Sequence, residues 1–434
     1  MIDAELERFR RLHPRCAELH ERARGSLFSG VPMPWMALWA GGYPVSVAAA
    51  YGSRVVCEDG VEFVDLCLGD TGAMAGHAPA PVLEALRSPR GITTMLPTED
   101  AAWVGEELTR RFGLDRWLFT LTATDANRTA LRIARMLTGR PRILVYSYCY
   151  HGSVDEAVAV RRDGATVSRE GNVGPPVDVA QTTVAVEFND LDQLEAALRT
   201  GEIACVLAEP AMTNMGIVLP DDGYHAALRE LTREHGTLLI IDETHTFSAG
   251  PGGCTQAWGL EPDLLTIGKA IGGGVPCGAL GLTAAVEAGM RAHEEADYED
   301  TGGVGGTLAG NALSLAAMRA TLGAVLTDDV WERTIPLATR FADGVRGAIG
   351  DRAMHVTQLG CRAEYRFGRE PARNGTEAHA ATDSERERFL HLYALNRGVL
   401  ITPFHNMALM APTTTAEDVD RHTAVFGEAL QALG

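Results

Sequence analysis

A chain of 434 residues with 46% hydrophobic content is long enough to bury the core of one large domain and a smaller one. Lys and Arg number 38 against 57 Asp and Glu, and the resulting net charge of -19 argues against nucleic acid and against anionic membrane surfaces as partners. The eight cysteines are scattered with no C-x-x-C pair, so neither a zinc cluster nor a disulfide framework is indicated, and reduced, mostly buried thiols in a cytoplasmic enzyme are the expectation.

The start, MIDAELERFRRLHPRCAELHERAR, is charged rather than apolar, and no run of about 18 uncharged apolar residues follows anywhere, so no signal peptide or membrane span is expected. Its spacing predicts an amphipathic helix over Glu5 to Arg24. The segment FSGVPMPWMALWAGGYPVSV, rich in Pro, Gly and aromatics, reads as a loop or binding arm. Val55 to Cys57 and Phe63 to Leu66 flank the Asp59-Gly60 turn signal and predict a β-hairpin. Gly76-His77 comes next, with His77 expected to be a satisfied packing residue.

The stretch FTLTATDANRTALRIARMLTG predicts a helix that starts near Asp125, carries Ala130, Ile133, Ala134 and Leu137 on one face, and closes at Gly139 before Pro141. Thr122, Ala123 and Thr124 then place hydroxyls and backbone amides at a helix N-terminus, which suits a phosphate or, equally, an ordinary Thr N-cap. A strand over Ile143 to Ser147 delivers Tyr148, Cys149, Tyr150, His151 and Gly152. Another strand ends on Glu209-Pro210 ahead of a loop with Asn214-Met215-Gly216, and a helix spans Tyr224 to Glu234.

The apolar run Leu238 to Ile241 reads as a buried strand ending on Asp242-Glu243. A second run, Leu264 to Ile267, ends on Gly268-Lys269, with Gly272-Gly273-Gly274 close behind. The βαβ alternation from Phe119 to Leu282 implies a mainly parallel sheet covered by helices. In open α/β sheets ligands bind at such strand ends; the alternative is an ordinary surface acid and surface lysine.

Beyond the lysine, GLTAAVEAG reads as a strand, HEEADYED as a solvated acidic loop, and GGVGGTLAGN as a glycine-rich lead into a helix. From Thr327 an α+β pattern predicts helices over Ile335 to Ile349, Asp383 to Arg397 (Ser384 and Glu387 as a capping box) and Thr415 to Leu433, and a strand over Arg362 to Phe367. EPARNGTEAHAATDSE reads as an exposed, mobile loop. The expected division is 1–60 as an N-terminal arm and part of a small domain, 61–326 as the large domain, and 327–434 as a small α+β domain.

Taken together these stretches resemble the class III aminotransferases, pyridoxal-phosphate (PLP) enzymes of fold type I, and most nearly their glutamate-1-semialdehyde aminomutase branch. The likeness covers about residues 25 to 430. The hairpin and Gly76-His77 match the family's opening, Thr122-Ala123-Thr124-Asp125 its Ser-Gly-Thr-Glu, and Tyr150-His151-Gly152 its Y-H-G. Glu209-Pro210 with Asn214-Met215-Gly216 matches E-P-x-x-x-N-M-G, and Gly306-Thr307 matches G-T-x-x-G-N-P.

The resemblance implies that Lys269 condenses with the cofactor aldehyde and moves the proton, while Asp242 keeps the pyridine nitrogen protonated so that the ring acts as an electron sink. It further implies that Thr122 to Thr124 hold the phosphate, that Tyr150, followed by His151, stacks on the ring, and that Thr244 stands where a valine usually packs behind it. Glu209 and Asn214 would orient the phenolic oxygen and the lysine. Thr307 would reach the phosphate of a neighbouring subunit, which implies a homodimer with shared sites.

Two departures bear on activity. Met36 stands where the aminomutase arm carries an arginine, and Phe247-Ser248-Ala249 replaces Gly-Phe-Arg. The first reading is therefore an aminotransferase acting on a small amine or amino acid and a keto or aldehyde acceptor. An intramolecular aminomutase or racemase-type PLP enzyme comes second, and a PLP-binding protein without turnover third. Trp35, Met36, Trp39, Phe404 and Met407 point to an apolar substrate or to core. Arg362 and Arg366, on one face of a strand, suit a substrate carboxylate or solvent.

Overall fold

Runs of Ile, Val, Leu and Ala that stay buried on both faces build a seven-stranded sheet, the form a helix-covered parallel sheet requires. Its strands are β1 (Arg116–Thr120), β2 (Arg142–Tyr146), β3 (Thr183–Val186), β4 (Ile203–Ala208), β5 (Leu238–Asp242), β6 (Leu264–Gly268) and β7 (Gly278–Leu282), in the order β1-β7-β6-β5-β4-β2-β3. The five from β6 to β3 run parallel, and β7 lies antiparallel between β6 and β1. Every residue of β4, β6 and β7 is buried.

The computed structural model describes residues 2–87, 90–293 and 303–433. The sheet belongs to one compact unit, Ala80–Asp328 with Ala372–Ala380; the other comprises Met1–Pro79, Asp329–Pro371 and Ala381–Gly434. The boundary expected at residue 60 differs from this division. Strand Glu62–Asp65 pairs with Arg54–Cys57 and with Val399–Leu400, which ties 61–79 to the smaller unit. The smaller unit also holds a three-stranded sheet of Met354–Leu359, Arg362–Phe367 and Met407–Leu409, and the helices Asp329–Ile349, Ser384–Leu395 and Ala416–Leu433.

Several local expectations are corrected. The N-terminal helix is two, Ile2–Leu12 and Pro14–Arg24, because Pro14 lacks an amide and fixes its φ for a helix start. GLTAAVEAG is not one strand: β7 stops at Leu282, and Thr283 caps a helix over Ala284–Ala292 by accepting from the Val286 amide. The cap expected from Ser384 is supplied by Asp383, which accepts from Arg386 N at 3.1 Å. The stretch expected to be a mobile loop contains the helix Gly375–Ala380 inside the larger unit. There Arg373 O accepts from Asn189, Thr376 donates to Glu187, and the His379 ring stacks on Tyr148 at 4.4 Å. In HEEADYED, residues 294–300 lie outside the described residues.

Candidate active site

Strand pairing fixes the central geometry. β5 and β6 are parallel neighbours with Asp242 opposite Thr266, so Lys269, three residues beyond Thr266 and just past the end of β6, emerges at the same sheet edge as Asp242. Lys269 has φ of 49°, a left-handed conformation uncommon outside glycine and typical of residues held by a functional site. Its Nζ lies 2.6 Å from His245 Nε2, on the loop that follows β5.

Asp242 is 4% exposed, yet it is held as a carboxylate. Burial would raise its pKa, but the hydrogen bond and charge of His151, with bonds to Thr244 and Asn127, outweigh it and bring the value down to about 2. His151 Nδ1 is 2.9 Å from Oδ2, Asn127 Nδ2 donates to the same oxygen at 2.8 Å, and Thr244 N donates to Oδ1 at 3.0 Å. Burial disfavours the charged form of His151, but Cys149 and Asp242 outweigh it and hold the imidazole well above its ordinary range. The two groups form a buried ion pair.

Asn127 also donates to His151 O at 3.1 Å and accepts from Thr266 Oγ1 at 2.7 Å, so one amide joins the helix, both strands and the His151 loop. Sequence reading missed Asn127 and His245. A polar residue inside a helix reads as solvent-facing, and the only available signal for Asn127 was its place among Ala126, Ala130, Ile133 and Ala134 on the buried face.

The helix behind this pair runs Ala123–Thr138, is capped by Thr122 and ends at Gly139 with φ of 65°. Thr122 Oγ1 accepts from Asp125 N at 3.2 Å and donates to Asp125 Oδ2 at 2.9 Å, so its hydroxyl is engaged as a cap. The amides of Ala123 and Thr124 belong to the first turn, which has no intrahelical acceptors. Glycines press on this end: a Cβ on Gly268 would lie 2.9 Å from Ala123 N, and one on Gly152 would collide with Thr124 Oγ1. Bare backbone at Gly268 is what lets the lysine strand approach the helix N-terminus.

Glu209, just past β4, is buried, and burial pushes its carboxyl up to about 7, against the opposing charge of His151 and a hydrogen bond from Thr213. Asn214 donates to Tyr148 O at 2.9 Å, fixing the loop that carries the half-buried Tyr150. The Tyr148 ring stacks on His379, and its φ is 64°. Glu243 faces away from this site. It accepts from Thr246 Oγ1 at 2.5 Å, Cys254 N at 3.2 Å and Thr255 Oγ1 at 2.6 Å, and so pins the loop that carries Thr244 and His245.

Thr307 is exposed in a turn after Gly305 and Gly306. It is not the cap of the next helix, which is Asn311, accepting from Ser314 N at 2.9 Å. In the smaller unit Trp35 packs edge-on against Phe404 at 4.8 Å, and Met36 is 39% exposed in the short Pro34–Leu38 turn. Arg362 and Arg366 are buried rather than solvated: Arg362 donates to Thr71, and Arg366 to Thr382 at 3.0 Å, with Glu364 3.7 Å away.

PLP has an aldehyde, a pyridine nitrogen, a phenolic oxygen and a phosphate, and the residues fit it. An amine, an ionised carboxylate and a helix N-terminus open at one sheet edge, and three buried polar atoms around them, His151 Nε2, Glu209 Oε1 and Thr244 Oγ1, have no protein hydrogen-bond partner. A parallel-sheet fold with lysine and aspartate so placed defines a fold type I PLP enzyme.

Comparison with known proteins specifies the family. Residues 36–430 match the family model for aminotransferase class-III. The chain is 35% identical over 433 residues to a glutamate-1-semialdehyde 2,1-aminomutase of Sorangium cellulosum, covering 96% of this chain and 97% of that protein. Its fold superposes with a TM-score of 0.96 on a glutamate-1-semialdehyde aminomutase from Pseudomonas aeruginosa PAO1, solved also as a lysine-to-alanine variant with PMP, at 49% identity over 100% of this chain and 98% of that one. An omega-transaminase from Sphaerobacter thermophilus gives a TM-score of 0.86 at 30% identity, covering 96% and 98%. The chain belongs to the class III aminotransferases and is a PLP-dependent enzyme of fold type I. Among the described residues no helix is long and apolar enough to cross a membrane.

Proposed function

We propose that the enzyme is an aminotransferase that moves an amino group from an amino acid or amine donor to a keto or aldehyde acceptor. The carrying observation is Lys269 and the buried, ionised Asp242 at the ends of adjacent parallel strands. When bound, PLP supplies an electron sink for the carbon that loses a proton. Lys269 links to the cofactor and carries that proton. His245, within hydrogen-bond reach of Nζ, sets the position of the amine. Asp242, held in place by His151 and Asn127, would take the ring nitrogen, and the amides of Ala123 and Thr124 beside Thr122 would take the phosphate. Thr244 and Tyr150 would hold the ring, and Glu209, with Asn214 bracing the Tyr148 loop, would serve the phenolic oxygen.

Transfer between two molecules is favoured over internal rearrangement by Met36, which stands where the aminomutase arm carries an arginine. The second reading, an intramolecular aminomutase, is favoured by the names of the relatives at 35% and 49% identity. A panel of amino donors, scored by loss of the absorbance of the lysine-linked cofactor and by product analysis, separates the two. A transferase releases one keto product for each acceptor aminated; an aminomutase returns an isomer of its substrate and no second product.

We also propose a homodimer with shared sites. Thr307 is exposed beside Leu308, and Ile92, Met95 and Leu96 present large exposed apolar side chains on a segment whose Ile92 carbonyl accepts from Leu313 at 3.2 Å. Apolar surface of this kind is the mark of an interface. In this reading Thr307 contacts the phosphate in the neighbouring subunit's site. A cytoplasmic location is proposed on the eight buried free thiols.

A further inference from the structure

In the smaller unit, four potential ligand atoms converge from two segments that no sequence spacing connects. His13 and Cys16 flank and follow the Pro14 break between the N-terminal helices, and Cys57 and Asp59 stand at the hairpin that ends in Gly60. One ligand atom from each lies within 4.8 Å of all the others, with His13, Cys16 and Cys57 buried and the Asp59 side chain 7% exposed.

The distances are those of ligands around an ion. His13 Nδ1 is 3.7 Å from Cys57 Sγ and 3.9 Å from Asp59 Oδ2, the latter too long for a hydrogen bond. A tetrahedron whose six edges all had these two lengths would have its centre about 2.3–2.4 Å from each corner, close to the zinc–sulfur bond of about 2.3 Å; here every edge is at most 4.8 Å, within reach of that geometry by small side-chain rotations. The surroundings orient the donors as outer contacts of metal sites do. Ser46 N donates to Cys16 Sγ at 3.2 Å and Ser46 O lies 4.0 Å from the same sulfur, while Arg15 N and Cys16 N hold the Asp59 carboxylate at 2.7 and 3.0 Å. His13 Nε2 is buried without a hydrogen-bond partner, and the imidazole lies among aromatic rings, 4.7 Å from Phe9 and 5.9 Å from Phe63 between centroids. With Nδ1 on a cation, the ring keeps its proton on Nε2, against those rings.

We propose that His13, Cys16, Cys57 and Asp59 bind one zinc-class divalent cation, as a structural clip between the N-terminal helices and the hairpin. Two thiolates, an imidazole and a carboxylate form a closed tetrahedral set with a borderline-soft character that selects zinc over magnesium or calcium. Binding releases the two thiol protons, and the cation stabilises the folded arm against the unfolded chain.

The test uses the full-length PLP-loaded enzyme, purified without chelator and with any affinity tag removed. Elemental analysis should give about one zinc per chain in the wild type and background in Cys16→Ser/Cys57→Ser, since structural sites need their full ligand set. A second measurement does not depend on that variant folding. Wild-type enzyme stripped by a chelator should melt at a lower temperature, and reloading with Co2+ should restore the melt and produce thiolate-to-cobalt charge-transfer absorption with d–d bands at longer wavelength than the cofactor. The proposal is overturned by any of three results: wild-type enzyme that takes up no metal from excess Zn2+, a folded double variant that keeps stoichiometric zinc, or a Cys16–Cys57 disulfide in the purified protein.

Discussion

His245 Nε2 and Lys269 Nζ are 2.6 Å apart, a pairing between the loop after β5 and the residue that follows β6. The loop is rigid for an identifiable reason: Glu243 accepts from Thr246, Cys254 and Thr255, while Thr244 N donates to Asp242. A histidine so fixed sets the position of the amine it touches.

Removing that contact should therefore show in a pH profile. His245→Ala should shift the pH at which the absorbance of the lysine-linked cofactor titrates, and lower turnover by about 10–100-fold, the scale of one hydrogen bond to a charged group. His245→Gln, which keeps a side-chain hydrogen-bonding group, should recover part of both. An unchanged titration in His245→Ala would show that the contact is only packing.

Asp242→Asn should keep the fold, because it keeps the side chain's shape and one acceptor oxygen, yet cripple proton transfer by removing the negative charge opposite the ring nitrogen and turning an NH2 toward either Thr244 N or Asn127 Nδ2. The check is single-turnover kinetics alongside cofactor content. Wild-type rates in this variant would remove Asp242 from the chemistry.

Glu209 makes a prediction about the apoenzyme. Its carboxyl is raised from 4.5 to about 7 by burial, so the folded state retains a proton that the unfolded chain has already lost across that interval. Stability contributed by the neutral acid is full below pH 4.5 and is lost as pH rises toward 7, by a few kcal/mol at most. Glu209→Gln should flatten that slope, and denaturant melts at pH 5 and pH 8 measure it. An identical wild-type and variant slope would contradict the assignment.

What was legible in the sequence was what local rules encode. Thr122 and Gly139 bracket the helix behind the site through capping chemistry, and the apolar runs of β5 and β6 carry Asp242 and Lys269 to one edge because parallel strands align their ends. Contacts that depend on the tertiary arrangement were not legible. Asn127 acts on β5 and β6 at once, Asn214 serves the backbone of Tyr148, and the polar segment 372–380 folds into the larger unit through Asn189, Glu187 and Tyr148. His13, Cys16, Cys57 and Asp59 show no metal-binding spacing because the hairpin, not a motif, brings the second pair to the first.

Shared sites predict complementation. Thr307→Ala should weaken PLP binding by ~1.5–3 kcal/mol, one hydrogen bond to a charged group. Mixing Thr307→Ala with Lys269→Ala subunits should then restore one fully competent site per heterodimer, since one site carries both lesions and the other neither. Exchanged dimers with no site of wild-type PLP affinity would place Thr307 outside the neighbour's site.

The central claim is that Lys269 is the residue joined to PLP and responsible for moving the proton. Borohydride reduction of the holoenzyme, followed by peptide mass spectrometry, tests it directly. The pyridoxyl group should be found on Lys269 and be missing from Lys269→Ala, which should still bind PLP but lose turnover by several orders of magnitude. A pyridoxyl group on any other residue, or full turnover in Lys269→Ala, would contradict the account.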